Sequence, residues 1–159
     1  MIIIGYPGIG KTTLANDTAV IDLESSCFWV PQNGETKVRP EKWEYIYCNI
    51  AEDISSRGNI VFVSSHGAVR QCLENRKSKE NIVVCLPSIE LQEKWIKKLK
   101  CRYDVSGTSK DFRAWISAKE HYTRDITDMK EQALKNDWKI LEIKHMNYDL
   151  RSLLILLLK

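Results

Sequence analysis

The sequence predicts an α/β domain built on a five-stranded parallel sheet, and three observations predict it. Apolar runs of strand length recur at 1–5, 20–23, 59–64, 81–86 and 138–143. The runs are continuously apolar rather than alternating, the pattern of strands covered on both faces. Stretches with helical periodicity separate them, and strands interleaved with helices close into a parallel sheet with right-handed crossovers.

In chain order, Met1 to Gly5 is the first strand, and the helix after it runs from Lys11 to Thr18. The second strand is Val20 to Leu23. Ser25 to Arg39, with Pro31, Asn33 and Gly34, is the least regular stretch and is expected to form a mobile loop beside a site. Pro40 suits the first turn of a helix ending at Ser56, and Gly58 suits its stop. A strand over Asn59 to Ser64 leads to a helix over Gly67 to Arg76, and Asn81 to Leu86 is the fourth strand. Ser88 heads a capped amphipathic helix to Arg102 with Leu91, Trp95 and Leu99 on one face. A long helix over Ser109 to Lys135, a strand over Trp138 to Ile143 and a helix over Tyr148 to Leu158 complete the chain. Trp43, Trp95 and Trp115 fall on helix faces that pack on a core.

At 159 residues the chain holds one domain, and its 43% hydrophobic and 28% charged residues are globular values. There is no repeat, low-complexity tract or interdomain linker. A net charge of +3 is too small to coat extended nucleic acid, although basic residues cluster between Lys94 and Lys110. The five cysteines, Cys27, Cys48, Cys72, Cys85 and Cys101, are odd in number and lack a C-x-x-C pair, so reduced and mostly buried thiols are expected. No leader with a basic flank precedes the first strand, which predicts a cytoplasmic location. Leu150 to Leu158 is very apolar but too short to span a bilayer, which takes about 20 residues.

The functional signal is Gly5-x-x-x-x-Gly10-Lys11-Thr12, between the first strand and the first helix. This is the spacing of a P-loop. Backbone N–H groups wrap a triphosphate only where the loop forms a concave nest free of side chains, which Gly5, Gly8 and Gly10 permit. Gly8, Ile9, Gly10, Lys11, Thr12 and Thr13 are therefore expected to bind the phosphates of ATP. Lys11 would reach the β- and γ-phosphates, Thr12 would bind Mg²⁺, and the following helix would turn its positive end to the anion.

Acidic residues narrow the class. The strands ending near Ser65 and Pro87 carry no terminal carboxylate of the kind that holds Mg²⁺ in motor ATPases and GTPases, and an Asn-Lys-x-Asp base-reading motif is absent. The acids instead follow the second strand in Val20-Ile-Asp22-Leu-Glu24. Two residues apart on an extended segment, Asp22 and Glu24 share one side of the chain, on the rim where parallel sheets bind ligands. Either can face Mg²⁺ or an acceptor hydroxyl.

In motif and element order the chain resembles the nucleoside monophosphate kinase-like group of P-loop phosphotransferases, which includes adenylate, shikimate and gluconate kinases. The resemblance is specific at Gly5 to Thr12 and topological elsewhere. It implies a three-layer P-loop NTPase fold with strand order 2-3-1-4-5, a substrate-binding insertion at about 25–57 and a helical lid at about 98–113. It maps the acid at metal or acceptor onto Asp22, and the arginine for the acceptor's anionic group onto Arg70. Lid cations correspond to Arg102, then Lys98, with Arg113 and Arg124 on the following helix able to close from the other side. The repeated arginines of an adenylate kinase lid are missing, which argues against adenylate kinase itself.

Further candidates are local. His66, on the rim after Ser64 and Ser65, could contact or deprotonate an acceptor or make a structural hydrogen bond, whereas His121 and His145 have no ligand-like spacing. Phe28 and Trp29 follow the acidic segment and fit either core packing or stacking on a base. The resulting expectation is an ATP- and Mg²⁺-dependent kinase with Lys11, Asp22 and Arg102 in catalytic roles. The acceptor, a nucleoside or nucleoside monophosphate, would meet Asp22, Glu24, His66, Arg70, Lys98, Arg113 and Arg124. The alternatives are a nucleotide-dependent switch or regulatory NTPase, and a kinase of another metabolite or of a polynucleotide end. No membrane partner is expected, and a homodimer is left open.

Overall fold

The computed structural model describes residues 1–17, 20–32, 36–76 and 81–157. Its centre is the strand β1, Ile2–Gly5, whose residues are all buried. Burial of consecutive residues requires cover on both faces, as the unbroken Ile2-Ile3-Ile4 run anticipates. β1 pairs in parallel with β5 (Val61–Ser64) on one side and β6 (Ile82–Pro87) on the other. β2 (Ile21–Asp22) lies outside β5, and β7 (Lys139–Ile143) lies outside β6.

Counting every strand along the chain, the sheet order is β2-β5-β1-β6-β7. The numbering departs from the expected 2-3-1-4-5 because two further strands, β3 (Val30–Gln32) and β4 (Thr36–Val38), form a separate antiparallel ribbon. That ribbon, with a 3₁₀ turn over Ser25–Phe28, corrects the expectation of an irregular loop over 25–39. The Asn33-Gly34 centre of that loop, and the expected helix ends at Thr18 and Leu158, lie outside the described residues.

The helices are α1 (Lys11–Asp17), α2 (Trp43–Ser56), α3 (Gly67–Glu74), α4 (Gln92–Ser106), α5 (Ser109–Lys135) and α6 (Leu150–Leu157). α5 has the predicted bounds, and the Thr108 hydroxyl caps it by accepting the Asp111 amide at 3.2 Å. Other boundaries moved for identifiable reasons. Pro40 stands in the lead-in to α2 rather than in its first turn. Ser88 makes no side-chain cap; its amide donates to the Ile143 carbonyl at 2.9 Å and its carbonyl accepts the Tyr122 hydroxyl at 2.9 Å. Tied in this way to β7 and α5, the chain makes a 3₁₀ turn over Ile89–Leu91 before α4 begins. The last helix begins beyond Tyr148 because Asp149 accepts the amides of Arg151 and Ser152 at 3.1 and 3.2 Å.

The core gathers Ile2, Ile3 and Ile4 with Phe62, Val83, Val84, Leu86, Trp95, Leu99 and Tyr122. Trp43 and Trp95 are buried as expected, and Trp115 packs at the edge of the core. Cys48, Cys72 and Cys85 are buried free thiols, while Cys27 and Cys101 are exposed ones. No helix among the described residues is long and apolar enough to cross a membrane.

Fully buried Ile4 and half-exposed Ile155 provide a contrast. Ile4→Ala is expected to lower unfolding free energy by about 2–5 kcal/mol through lost burial and an unfilled cavity. Ile155→Ala should stay within about 0.5 kcal/mol. Urea denaturation of the two variants checks this.

Candidate functional site

All four strands β1, β2, β5 and β6 run the same way, so their carboxyl ends lie along one rim. At its centre the chain leaves β1 and turns through Tyr6 to Gly10 into α1. The turn needs left-handed backbone at Gly8 (φ 86°) and Gly10 (φ 93°), where a side chain is strained. A Cβ on Gly8 would also lie 2.9 Å from Leu99 and 3.3 Å from the Trp95 indole nitrogen. α4 therefore packs directly against the loop.

Two of the loop's carbonyls are taken by side-chain donors. The Trp95 indole N–H donates to the Pro7 carbonyl at 2.9 Å, and the Tyr148 hydroxyl donates to the Gly8 carbonyl at 3.3 Å. The two rings stack on one another, and Lys98 Nζ donates to the Tyr148 oxygen at 3.0 Å. In a trans peptide the N–H points opposite to the carbonyl, so the amide of Gly8 is turned away from the Trp95 indole. The first amides of α1 have no intrahelical acceptor and carry the positive end of the helix dipole.

Lys11 folds back over this turn and donates from Nζ to the Gly5 carbonyl at 2.9 Å. Burial pushes its pKa down, while Asp22 and Glu24 push it up and Lys110 adds to the lowering. One α1 turn exposes Thr12, whose hydroxyl donates to Asp22 Oδ2 at 2.7 Å. This pair of oxygens suits Mg²⁺, which typically takes one or two protein oxygens and keeps water and phosphate oxygens for the rest. Among the described residues there is no cluster of three or more His, Cys, Asp or Glu that could hold a metal by itself.

The acidic segment is held by Tyr47 of α2. Its hydroxyl donates to the Leu23 carbonyl at 2.6 Å and accepts the Ser64 amide at 2.9 Å, bridging the ends of β2 and β5.

These elements line one cleft of 1110 Å³. Gly8, Ile9, Gly10, Lys11, Thr12, Thr13, Asp22, Glu24, His66, Arg70, Lys98, Arg102 and Arg113 all border it. Arg124 does not. It is exposed beside Asp125, 3.4 Å away. Asp125 borders the cleft, and a step of one helical residue turns a side chain by about 100°, which takes Arg124 off that face. Arg102, expected as a free lid cation, is held by Asp111 at 2.7 Å. Its Nε is buried without a partner. Arg70 donates to the Ser65 carbonyl at 3.2 Å and to Gln132 Oε1 at 2.6 Å. Phe28 packs on Trp43 and Tyr47, whereas Trp29 borders the cleft.

The structure gives a partner to Lys110, expected only as one of the basic residues of the lid region, and adds Arg39. Lys110 crosses from α5 to Glu24 at 2.5 Å, joining the α4–α5 hairpin to the acidic segment. Lys110, Arg113, Ala114 and Ser117 all border the cleft, and their helical spacing was a signal readable in the sequence. Arg39 had no such signal. Its guanidinium lies 3.9 Å from the Trp43 ring centre and 4.8 Å from that of Trp29. His66, at the start of α3, is exposed by area, but that surface opens into the cleft. Desolvation first, then the charges of Arg39, Lys11 and Arg113, push its pKa down to about 4.

No protein-family model, curated protein or solved structure matches this chain.

Tyr47→Phe removes both an acceptor and a donor at the strand ends and should destabilise the fold by about 1–3 kcal/mol, read by urea denaturation. His66 generates a pH prediction. Its folded pKa of about 4 lies below the ordinary 6.5, so the unfolded chain binds the proton first, and the associated stability is full above 6.5 and lost as pH falls through 4. Relative to wild type, His66→Gln should lose less stability between about pH 7 and about pH 4.5. Equal losses in parallel denaturation series would contradict this.

Proposed function

We propose that the chain is an ATP-dependent small-molecule kinase that transfers the γ-phosphoryl group to a nucleoside or nucleoside monophosphate. One observation carries the reading. Lys11 and the Thr12–Asp22 pair stand beside a glycine turn in a cleft that continues to a basic wall at Arg39, His66, Arg70 and Arg113. At 1110 Å³ it exceeds the few hundred to about 1,000 Å³ of common single-ligand sites, leaving room for donor and acceptor together. The parallel sheet with its central P-loop strand agrees with the kinase-like fold that the sequence resemblance implies.

In this reading the amides around Gly8 to Thr13 hold the triphosphate, and Lys11 carries its charge onto the β- and γ-phosphates. The acceptor oxygen, a hydroxyl of a nucleoside or a phosphate oxygen of a nucleoside monophosphate, attacks the γ-phosphorus as the bond to the β–γ bridging oxygen breaks, releasing ADP. Asp22 orients the acceptor and, where the attacking group is a hydroxyl, takes its proton. Thr12 and Asp22 would hold Mg²⁺, which would supply charge neutralisation at the phosphates. Lys98 and Arg102 stand on the α4 side, tied to Tyr148 and Asp111, and would have to exchange those partners to add positive charge to the transferring group. Such a reaction draws on the ATP pool of the cytoplasm.

The experiment is an ADP-release screen with Mg²⁺-ATP against nucleosides, nucleoside monophosphates and sugar acids. At least one acceptor should accelerate release. Lys11→Ala should lower kcat by about a hundredfold or more while the thermal unfolding transition stays intact. Undiminished transfer by Lys11→Ala would overturn the assignment, and acceptor-independent hydrolysis would favour a regulatory NTPase.

A further inference from the structure

The loop after β1 contains a turn whose central peptide has two ways to face. The Ile9 amide donates to the Tyr6 carbonyl at 3.4 Å, so Tyr6, Pro7, Gly8 and Ile9 form a β-turn. Pro7 occupies its second position and Gly8, at φ 86°, its third, which is the type II arrangement. Type I, the commoner turn, accepts the same proline and differs by rotation of the central peptide, here Pro7–Gly8, through about 180°. Glycine adopts either sign of φ, so Gly8 permits type II without imposing it.

Trp95 supplies the preference. Its indole N–H donates to the Pro7 carbonyl at 2.9 Å from a side chain with no exposed surface. Type I would exchange the two groups of that peptide: the Pro7 oxygen would take the place of the Gly8 N–H, away from the indole. A buried indole donor would then lose its acceptor, a cost that favours type II. The next peptide, Gly8–Ile9, is fixed through its carbonyl, which accepts the Tyr148 hydroxyl at 3.3 Å. Lys98 has only donors to offer, and its Nζ lies 3.0 Å from the Tyr148 oxygen, so that oxygen accepts from Lys98 and its single proton is left for Gly8. The Trp95 and Tyr148 rings stack with centres 6.1 Å apart, and Lys98 Nζ lies 4.5 and 4.9 Å from them. The two donors are therefore held as one unit behind the loop, and neither Trp95 nor Tyr148 borders the cleft.

We infer that Trp95 and Tyr148 are positioning residues that select the type II turn and so present the Gly8 N–H, rather than the Pro7 oxygen, to a bound phosphate. The assignment rests on the kinase reading for the phosphate itself and adds what makes the glycine turn competent before the ligand arrives. Without the two donors the turn divides between two arrangements, and apparent affinity falls with the fraction that remains type II. Both residues act through the loop backbone and touch neither donor nor acceptor.

The test measures tripolyphosphate binding to the full chain by isothermal titration calorimetry, at constant ionic strength and below the unfolding transition of each variant. Trp95→Phe keeps an aromatic ring and deletes the indole N–H, and Tyr148→Phe deletes only a hydroxyl. Both substitutions are neutral, so neither removes a charge that attracts the probe. Trp95→Phe should weaken binding about tenfold, the effect of leaving roughly a tenth of the loops in type II. Tyr148→Phe, which loses a longer hydrogen bond, should weaken it about threefold. In ligand-free Trp95→Phe the Gly8 amide NMR signal should move as the loop redistributes. Trp138→Phe is the control: it truncates a buried indole just before β7, at the end of the parallel sheet opposite the cleft, and should bind as wild type. Wild-type affinity in both loop variants, an unmoved Gly8 signal, or an equal loss in Trp138→Phe would overturn the assignment and leave the phosphate site standing. Tyr148 is only part-buried, so its variant decides the matter if Trp95→Phe does not fold. Absence of tripolyphosphate binding by the wild type, with and without Mg²⁺, would instead sink the kinase reading and this assignment together.

Discussion

The cleft is organised around one part-buried ammonium, that of Lys11, held on the Gly5 carbonyl at the end of a hydrophobic strand. Burial disfavours the charge; the Gly5 carbonyl and the fields of Asp22 and Glu24 oppose that cost. These partners come from different elements and meet only if β1, β5 and β2 are in parallel register, since Asp22 pairs with Phe62 and Ile3 with the same residue. Sheet register and electrostatics are therefore one constraint. A slip of one residue would turn the acids to the other face and leave the lysine uncompensated.

Around that centre the fold separates two tasks. Behind the turn, α4 and the segment before α6 fill the space with Trp95, Leu99 and Tyr148 and occupy the loop carbonyls. In front, the segment after β2, α3 and the start of α5 deliver polar groups to the cleft. Tyr47 links these tasks, because its single hydroxyl ties the backbone of the acidic segment to the end of β5. The Glu24–Lys110 pair adds a connection from the helical hairpin to the acidic segment. Both of its side chains are about half exposed, so its contribution to stability is small, and its position over the cleft is the more informative property.

Much of the fold was legible because its causes are local. A run such as Ile2-Ile3-Ile4 has one comfortable place, the middle of a covered sheet, and Thr108 with Asp111 marks the start of α5 whatever packs around it. Errors arose where a distant partner decided the outcome. Ser88 looked like a cap, but β7 and Tyr122 claimed its backbone. Composition alone makes 25–39 an irregular loop; Asn-Gly between short β-prone stretches is also a hairpin signal, and the structure pairs Val30 with Val38. Arg102 looked like an available cation until Asp111, nine residues on, was found beside it.

The sequence by itself determined the glycine turn after the first strand, the parallel α/β class and the position of Asp22 and Glu24 at a strand end. Each follows from adjacent residues: glycine where φ is positive, apolar runs where both faces are covered, acids immediately after a strand. Only the tertiary structure decided which cations share the cleft and which are already paired. It brought Arg39 to His66 across 27 positions and Lys110 to Glu24 across 86, and left Arg124 aside. The physical reason is that electrostatic partnership falls off with distance in space, and the packing of helices on the sheet sets that distance.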